Sequence, residues 1–312
     1  MPKILVTGAN GFVGSALCAA LLKKEIDIIA AVRTKSRNDD FPIGDLSAST
    51  DWLPALAGCS AIIHLAARVH VMNDTSSDTL TDFRAVNVDA TFNLAKQAAQ
   101  CGVKRFVFVS SVKVNGEETI SKLFTAFDEP APLDSYGQSK LEAEIALREL
   151  SRDTGLEVVI IRPPLVYGPG VRANFLKLMQ LVKMGVPLPL GAIHNRRSMV
   201  ALDNLVDLLI TCTHHPAAAG HTFMVSDDND VSISELLRML ASVMGKRSLL
   251  LPVPARIIAG AAAVLGKSAV ASRLLGSLQV DINHTKSTLG WVPVVTMQES
   301  LDKTVADFLA HR

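Results

Sequence analysis

The sequence predicts an α/β protein with a Rossmann-type, doubly wound parallel sheet and a smaller mixed C-terminal substrate domain. Short β-rich runs alternate with longer helical runs through the first half, which is typical of a parallel sheet covered by helices on both faces. A glycine-rich turn follows the first apolar run and opens a helix. The alternation stops at Arg162-Pro163-Pro164, and the residues beyond it are more mixed.

Hydrophobic periodicity predicts the elements of the first half. Short apolar runs predict strands at 3–6, 27–32, 60–65, 105–110 and 157–161. Longer periodic runs predict helices at 12–23, 78–100 and 135–154, and a polar loop is expected at 115–134. Since 49% of the 312 residues are hydrophobic, the chain has enough apolar material for a large core or two domains.

The second half contains a predicted strand at 198–202 and predicted helices at 174–184, 205–213, 234–244 and 254–265. Asp203 and Ser232 precede helical runs and are predicted N-caps. We expect a dinucleotide-binding domain over residues 1–165, which also takes a strand near 198–212. Residues 166–312 are expected to form mainly a substrate-binding domain over the sheet edge where open α/β sheets bind ligands.

Composition excludes several classes of protein. The net charge is +1 and no long basic run occurs, so nucleic acid is not an expected partner. The apolar stretch 257–265 is shorter than the roughly 20 residues that span a bilayer, so no transmembrane segment is expected. A packed helix is the simpler interpretation, and contact with a membrane surface stays open. No signal peptide is visible at the start, which favours a cytoplasmic protein.

The cysteines show no metal-ligand or redox spacing. None of the four belongs to a CxxC pair, so we expect no metal site. We interpret them as reduced, buried, small apolar residues: Cys18, Cys59, Cys101 and Cys212.

The turn after the first strand predicts a dinucleotide site. Gly8 permits a tight turn, Gly11 lets the backbone approach a pyrophosphate, and Gly14 lets the helix pack closely on the strand. The pyrophosphate would then lie at the helix N-terminus, where free N–H groups and the helix dipole favour negative charge.

Tyr136 and Lys140 are the residues that suggest catalysis. They lie four residues apart in a predicted helix, so they share one face. A free phenol has a pKa of about 10, and a neighbouring cation favours the phenolate and lowers that pKa. A tyrosine adjusted in this way can exchange a proton with an alcohol near neutral pH.

Several segments together carry a family resemblance that covers nearly the whole chain. The glycine turn reads T-G-x-x-G-F-x-G rather than the G-x-G-x-x-G of ordinary dehydrogenases. Four later segments fit the same pattern: Ile63-His64-Leu65-Ala66-Ala67, Asn87-Val88-Asp89-Ala90-Thr91, Val109-Ser110-Ser111 and Leu289-Gly290-Trp291-x-Pro293. The chain resembles the extended short-chain dehydrogenase/reductase group, in the NAD-dependent epimerase/dehydratase family. Within it, the chain is most similar to bacterial surface-polysaccharide enzymes of the UDP-glucose 4-epimerase and 4-ketoreductase type.

The resemblance implies roles for the catalytic residues. Tyr136 would be the acid/base, Lys140 would also bind the nicotinamide ribose, and Ser111, preferred over its neighbour Ser110, would orient the substrate oxygen. Asn115 stands where relatives often have a tyrosine. Lys113 either faces the substrate pocket or is a solvated loop residue.

The cofactor is expected to be NADP or NAD. The end of the second strand carries Arg33 and no acidic residue, so a 2′-phosphate would find a partner there, which favours NADP. Asp45 would meet the adenine amino group. The resemblance implies the other cofactor-binding residues: Gly8, Asn10, Gly11, Phe12, Val13, Gly14, Leu46, Leu65, Ala66, Ala67, Asn87, Val109, Ser110, Tyr136, Lys140, Pro163 and Val166.

The substrate implied by the resemblance is a nucleoside-diphosphate sugar, with UDP as the expected nucleotide. Arg197 would bind the pyrophosphate, because a planar guanidinium suits two phosphate oxygens. Asn174 would contact the substrate, and Pro189 and Leu190 would flank the base, beside Ser111 and Tyr136 at the sugar. Leu165 stands where epimerases often have an asparagine.

The predicted activity is hydride transfer at C4 of a UDP-hexose or UDP-N-acetylhexosamine, as in a 4-epimerase. An NADPH-dependent reductase of UDP-4-keto-6-deoxy-N-acetylhexosamines is the alternative, because both reactions use the same proton and hydride geometry. Reduction of a non-sugar ketone and a non-catalytic dinucleotide sensor also stay open. A dehydratase is disfavoured, because Val112-Lys113 replace the acids that it needs. A homodimer is expected, with helices 78–100 and 135–154 pairing between subunits.

Overall fold

The large sheet has seven parallel strands, so the predicted fold class is confirmed. A computed structural model describes residues 3–69 and 79–311. The strands of this part are β1 (Lys3–Thr7), β2 (Ile28–Val32), β3 (Asp40–Pro42), β4 (Cys59–His64), β5 (Arg105–Val109), β6 (Glu157–Arg162), β7 (Leu165–Tyr167), β8 (Met199–Ala201) and β9 (Thr222–Met224). The large sheet has the order β3-β2-β1-β4-β5-β6-β9. Its winding reverses between β1 and β4, where such sheets bind ligands at their carboxyl edge.

The helices cover both faces of the sheet and build the C-terminal layer. They are α1 (Phe12–Lys23), α2 (Leu53–Leu56), α3 (Thr79–Arg84), α4 (Ala90–Gln100), α5 (Ser135–Thr154), α6 (Ala173–Met184), α7 (Leu202–His214), α8 (Ile233–Val243), α9 (Ala255–Val264), α10 (Ser268–Leu275), α11 (Asn283–Leu289) and α12 (Met297–Ala310). In the described residues, none of these helices is long and apolar enough to cross a membrane.

Three apolar cores hold these layers together. One face of the large sheet packs against α1 and α7, and the other packs against α2, α4 and α5. The third core joins α6, α8 and α12 to the small sheet β7–β8. Burial of these apolar side chains is the main force that holds the C-terminal layer at the edge of the large sheet.

The helix predicted over 78–100 is interrupted by a π-helical turn. Residue 78 lies outside the described residues, and the helix runs through α3, a π turn at Ala85–Asp89, and α4. Such turns occur often at functional sites. Here the turn carries Asn87, whose side chain is buried.

The strand expected near 198–212 does not join the large sheet. β8 pairs with β7 in a separate two-stranded sheet, and β9 occupies the edge beside β6 instead. Ser198 and the residues of β8 are buried under the C-terminal core, which explains their apolar pattern without a place in the large sheet. The short strand β3, which pairs with β2, was not predicted.

Two local expectations were wrong, and one was confirmed. Asp203 is not an N-cap, because α7 begins earlier, after Ala201, and the Asp203 carboxylate pairs with Lys303. Cys101 is exposed, because it caps the end of α4 at the surface. Ser232 caps α8 in a capping box with Glu235, as its position predicted.

Candidate active site

The glycine turn lies between the end of β1 and the start of α1. Gly8 has φ of +67°, a left-handed conformation that favours glycine. A Cβ on Gly14 would lie 2.1 Å from the Gly8 carbonyl oxygen, so only glycine lets α1 begin this close to the strand.

The start of α1 fits the pyrophosphate of a dinucleotide. The N-cap residue is Gly11, and no side chain caps the helix. The first amides of a helix, here those of Phe12 and Val13, have no acceptor within it. They therefore point toward the carboxyl edge of the sheet with the positive end of the helix dipole behind them, an arrangement that favours an anion.

Gly14→Ala is expected to weaken dinucleotide binding and to reduce the free energy of unfolding by about 1–3 kcal/mol. The new methyl group would displace the Gly8 carbonyl and with it the whole turn. Chemical denaturation and calorimetric titration with NAD and NADP would measure both effects.

Gly260→Ala is the matched control, because nothing lies within 4 Å of the new Cβ in that helix. It is expected to stabilise by about 0.5–1 kcal/mol without changing dinucleotide affinity. Equal changes in the free energy of unfolding and in dinucleotide affinity for the two variants would contradict the prediction.

A buried histidine, which the sequence analysis did not assign, fixes the ends of β1 and β4. His64 is hydrogen-bonded through Nδ1 to Thr7 Oγ1 (2.7 Å) and through Nε2 to Thr91 Oγ1 (2.9 Å). The Thr7 hydroxyl also accepts from the amides of Leu65 and Ala66. Burial lowers the pKa of His64 to about 3, so the ring is neutral at physiological pH. The only sequence signal was a polar residue at the end of an apolar strand.

Asn87 joins the loop after β4 to the catalytic helix. Its Oδ1 accepts from the Arg68 amide (2.8 Å), and its Nδ2 donates to the Arg68 carbonyl and to Ser139 Oγ (3.1 and 3.0 Å). Ser139 in turn donates to the Tyr136 carbonyl oxygen (2.8 Å). Asn87 therefore holds two backbone segments of the site, although it was predicted as a direct cofactor contact.

The three predicted catalytic residues converge at the carboxyl edge of the sheet. Ser111 follows β5, and its hydroxyl lies close enough to the phenol of Tyr136, in the first turn of α5, to lower the pKa of that phenol. Lys140 lies one turn further along, with Nζ 5.9 Å from the centre of the Tyr136 ring. Ser110, the other candidate, is buried and donates to Glu144 Oε1 (2.6 Å). The geometry thus places Ser111, and not Ser110, beside the phenol.

Burial, and not the lysine, dominates the pKa of Tyr136. The desolvation of the phenol raises its pKa to about 12, the negative charge of Asp134 acts in the same direction, and the hydrogen bond from Ser111 opposes them. Lys140 therefore does not lower the pKa of the Tyr136 phenol, contrary to what the sequence pattern had predicted. The reason is that Lys140 is itself buried and donates to the Val109 carbonyl oxygen (2.9 Å) rather than to the phenol.

Lys140 is a buried amine in aromatic surroundings. Its Nζ lies 4.6 Å from the centre of the Phe108 ring. Burial lowers the pKa of Lys140 to about 7, and the negative charge of Glu144 partly opposes this. The amine can therefore be neutral or charged near physiological pH, and small changes around it decide which form is present.

The stability of the protein is expected to rise with pH above about 7 because of Lys140. Its folded pKa lies below the value of 10.5 for a free lysine, so between these two pH values the unfolded chain binds more protons. The free energy of unfolding should rise by up to about 1.4 kcal/mol per pH unit in this window. Denaturant titrations from pH 7 to pH 10 should show this slope in the native protein and lose it in Lys140→Met. The exposed Lys122→Met is the control, and identical slopes in all three proteins would contradict the prediction.

A buried ionic network lies beneath the catalytic helix. Glu144 accepts two hydrogen bonds from the Arg162 guanidinium, from Nε (2.9 Å) and Nη2 (2.6 Å). Arg162 Nη1 donates to Asn115 Oδ1 (3.0 Å), and Ser110 donates to the same carboxylate. The side chains of Glu144 and Arg162 are only 2% and 4% exposed. The network ties β5, β6 and α5 together one turn from Lys140, and no sequence pattern indicated it.

Lys113 is neither solvated nor free to enter a pocket. Its Nζ forms ion pairs with Glu117 (2.9 Å) and with Asp134. Asp134 is the N-cap of α5 and accepts from the Gly137 amide (2.7 Å). Lys113 therefore links the loop after β5 to the start of the helix that carries Tyr136.

The predicted substrate residues lie in different surroundings. Arg197 is half-buried, and its Nη1 donates to the carbonyls of Arg273 (2.9 Å) and Gly276 (3.0 Å). Asn174 and Pro189 are exposed. Leu190 is buried in the C-terminal core, so its side chain packs inside the protein.

The rim of the cofactor side is more open. Arg33 follows β2, and its Nε lies 3.2 Å from Asp45 Oδ1 in a largely exposed pair. Leu46 packs against the sheet core, and Leu65, Ala66 and Ala67 follow β4. The remaining predicted contacts continue along the same edge: Val109 ends β5, Val166 lies in β7, and the Pro163 carbonyl accepts from Val112 N (3.0 Å).

Comparisons with known proteins agree with this geometry. Residues 4–226 match the profile of the NAD dependent epimerase/dehydratase family. The chain is 50% identical to a UDP-glucose 4-epimerase of Vibrio cholerae, over 99% of this chain and 96% of that protein. It is 28% identical to N-acetyl-alpha-D-glucosaminyl-diphospho-ditrans,octacis-undecaprenol 4-epimerase of Escherichia coli O157:H7, over the same shares of each chain.

A solved structure shows the same fold. MoeE5 in complex with UDP-glucose and NAD superposes with a TM-score of 0.79 at 26% identity, over 99% of both chains. The expected resemblance is thereby confirmed. The chain is an enzyme homologue of the extended short-chain dehydrogenase/reductase type and belongs to the NAD dependent epimerase/dehydratase family.

Proposed function

We propose that this protein is an NAD(P)-dependent 4-epimerase of a UDP-hexose or UDP-N-acetylhexosamine. The observation that carries the proposal is the convergence of Ser111, Tyr136 and Lys140 at the sheet edge that also holds the glycine turn. The comparisons support the reaction class, because the Vibrio and Escherichia relatives are both 4-epimerases of a hexose attached to a diphosphate.

In the proposed reaction, Tyr136 takes the proton of the C4 hydroxyl and later returns it, while Ser111 holds the same oxygen by a second hydrogen bond. When bound, the oxidised dinucleotide would supply a hydride acceptor that gives the hydride back to the opposite face of C4, and a positive charge that favours the phenolate. Lys140 holds the end of β5 through the Val109 carbonyl and lies beside the phenol.

The deciding experiment follows two reactions with purified protein. We expect interconversion of UDP-glucose with UDP-galactose, or of the two UDP-N-acetylhexosamines, without net change in nicotinamide absorbance. Absence of both interconversions, with stoichiometric consumption of NADPH by a UDP-4-keto-6-deoxy-N-acetylhexosamine, would show the ketoreductase instead.

One observation favours that second candidate: Arg33, and no acidic residue, follows β2. A reductase must exchange its cofactor at each turnover, and an NADP site suits that role.

We propose that Arg33 decides between the two dinucleotides. The family and the MoeE5 complex support NAD, whereas the exposed guanidinium of Arg33 could pair with the additional phosphate of NADP. Arg33→Ala is expected to weaken NADP binding about tenfold to a hundredfold and to leave NAD binding nearly unchanged. Calorimetric titration with each dinucleotide measures this. An equal loss for both would assign Arg33 to a general structural role.

We propose that the substrate diphosphate binds at Arg197, with Asn174 beside it and the backbone of Pro189-Leu190 near the base. The support is that Arg197 is not fully buried while two carbonyls orient its Nη1. Arg197→Met is expected to abolish protection by UDP in thermal unfolding. Failure of UDP to stabilise even the native protein would favour a non-sugar ketone as substrate.

We propose a homodimer that pairs α4 and α5 with the same helices of a second copy. Phe92 and Ile145 lie exposed on these two helices. Light scattering is expected to give twice the mass of the 33.4 kDa chain, and Ile145→Glu is expected to give one chain mass.

A further inference from the structure

Helices α9 and α10 form a hairpin whose outer surface is apolar. No residue of α9 is buried. Its inward stripe consists of half-buried Ala255, Ile258 and Ala262, at the spacing of one helix face. Outside this stripe, several large apolar side chains are exposed: Ile257 (61%), Val264 (88%), Leu265 (70%) and, on α10, Val270 (64%). An ordinary surface helix would place polar residues there.

The charged residues of the chain segment that contains this hairpin are all basic. Residues 244–280 contain no aspartate or glutamate, although the whole chain has 31 basic and 30 acidic residues. The segment carries five basic residues, all exposed: Lys246, Arg247, Arg256, Lys267 and Arg273. Acidic residues outnumber basic ones in the rest of the chain, so positive charge is concentrated in this 37-residue segment, which favours an anionic partner.

We propose that the α9–α10 hairpin docks on the surface of an anionic lipid bilayer. Exposed Val264 and Leu265 would enter the boundary between headgroups and acyl chains, as the apolar face of an interfacial helix does. The surrounding cations would bind anionic headgroups, with their aliphatic stems lying along the apolar surface. Pairing of this face with a second copy is disfavoured, because it would bring two all-basic segments together.

The hairpin also forms a wall of a cavity near the candidate substrate site. The cavity has a volume of about 410 Å³ and is bounded by Glu118, Arg256, Leu275 and small residues of α9 and α10. Gly276, which lines it, also accepts a hydrogen bond from Arg197. Docking of the hairpin would therefore hold this side of the C-terminal layer against the bilayer. The proposal itself does not depend on the proposed reaction, because lipid binding is measured without substrate.

The experiment is co-sedimentation of the full-length protein with vesicles. We expect binding to phosphatidylglycerol–phosphatidylcholine vesicles, little binding to pure phosphatidylcholine, and weakening by salt. Arg256→Gln and Lys267→Gln are expected to weaken binding roughly fivefold for each charge removed. Val264→Ser combined with Leu265→Ser should weaken it by about tenfold or more.

The control is Leu22→Ser, which removes a 60% exposed apolar side chain in the last turn of α1, a helix that packs on the large sheet and not in the C-terminal layer. It should bind vesicles like the native protein. Circular dichroism and Tm verify that all variants are folded. No binding of the native protein to anionic vesicles would overturn the proposal, as would an equal loss of binding in Leu22→Ser. Self-association that Val264→Ser abolishes, without vesicle binding, would assign the face to a second copy.

Discussion

Tyr136→Phe is expected to lower kcat for C4 epimerisation by about 10²–10⁴-fold, the usual contribution of a positioned general acid–base. The change removes only the phenolic oxygen, whose pKa the nearby Ser111 hydroxyl lowers, and it keeps the ring that packs edge-on against Phe83 at 6.0 Å. Folding and dinucleotide affinity should therefore be nearly unchanged. The rate of UDP-glucose and UDP-galactose interconversion, measured beside a dinucleotide titration, separates the chemical step from binding.

The sequence offers a matched control, because Tyr167 is its only other tyrosine. Tyr167 is buried in the C-terminal core and donates to Asp227 Oδ2 (2.7 Å). Tyr167→Phe is expected to cost about 0.5–3 kcal/mol of stability and to leave the kcat of the folded protein close to native. A Tyr136→Phe protein that retained native kcat would remove Tyr136 from the mechanism, whatever its effect on stability.

Glu144→Gln is expected to lower the free energy of unfolding by about 3–5 kcal/mol, because it leaves the Arg162 guanidinium charged in the interior without its partner. Both side chains are almost fully buried, and the carboxylate accepts from Ser110 as well as twice from Arg162. Loss of the negative charge should also lower the pKa of Lys140 further, since Glu144 is the group that raises it. Urea denaturation measures the first effect, and the pH dependence of stability measures the second.

Glu142 is the control for this prediction, two residues earlier in the same helix. It pairs with Arg84 through Oε1 at 2.6 Å, but the side chains are 23% and 46% exposed. Glu142→Gln is expected to cost only about 0–1 kcal/mol, because water screens the pair. Replacing both buried partners, as Glu144→Leu with Arg162→Met, should recover part of the loss, since no unpaired charge remains. Equal losses for Glu142→Gln and Glu144→Gln would show that burial of the second pair carries no special cost.

Local patterns predicted the parts of the protein that depend on neighbouring residues. α1 and α5 begin and end at the predicted residues, because helical periodicity and capping depend only on residues within a few turns of one another. The capping box at Ser232 follows the same logic. The fit of the glycine turn also depends on adjacent residues, since the nearest atom to a Cβ at Gly14 belongs to Gly8.

Contacts between distant segments were not predictable in this way. A polar residue such as His64 in an apolar strand signals a buried partner, but nothing in the pattern indicates Thr7 and Thr91. Glu144 follows Lys140 by one turn, and its true partner, Arg162, lies in another element. The shift in the pKa of Tyr136 was predicted in the wrong direction. The sequence shows that Lys140 lies four residues away, but it does not show that burial of the phenol raises the pKa.

The sequence by itself determined the parallel sheet, the glycine turn at the start of α1, and the shared helix face of Tyr136 and Lys140. Each of these follows from spacing within one element or between adjacent ones. Only the tertiary structure decided that β9 completes the sheet, that Ser111 meets the phenol, and that the α9–α10 hairpin exposes its apolar side chains. The physical reason is that burial and long-range pairing depend on how complete elements pack, and a residue pattern specifies which faces are apolar but not what covers them.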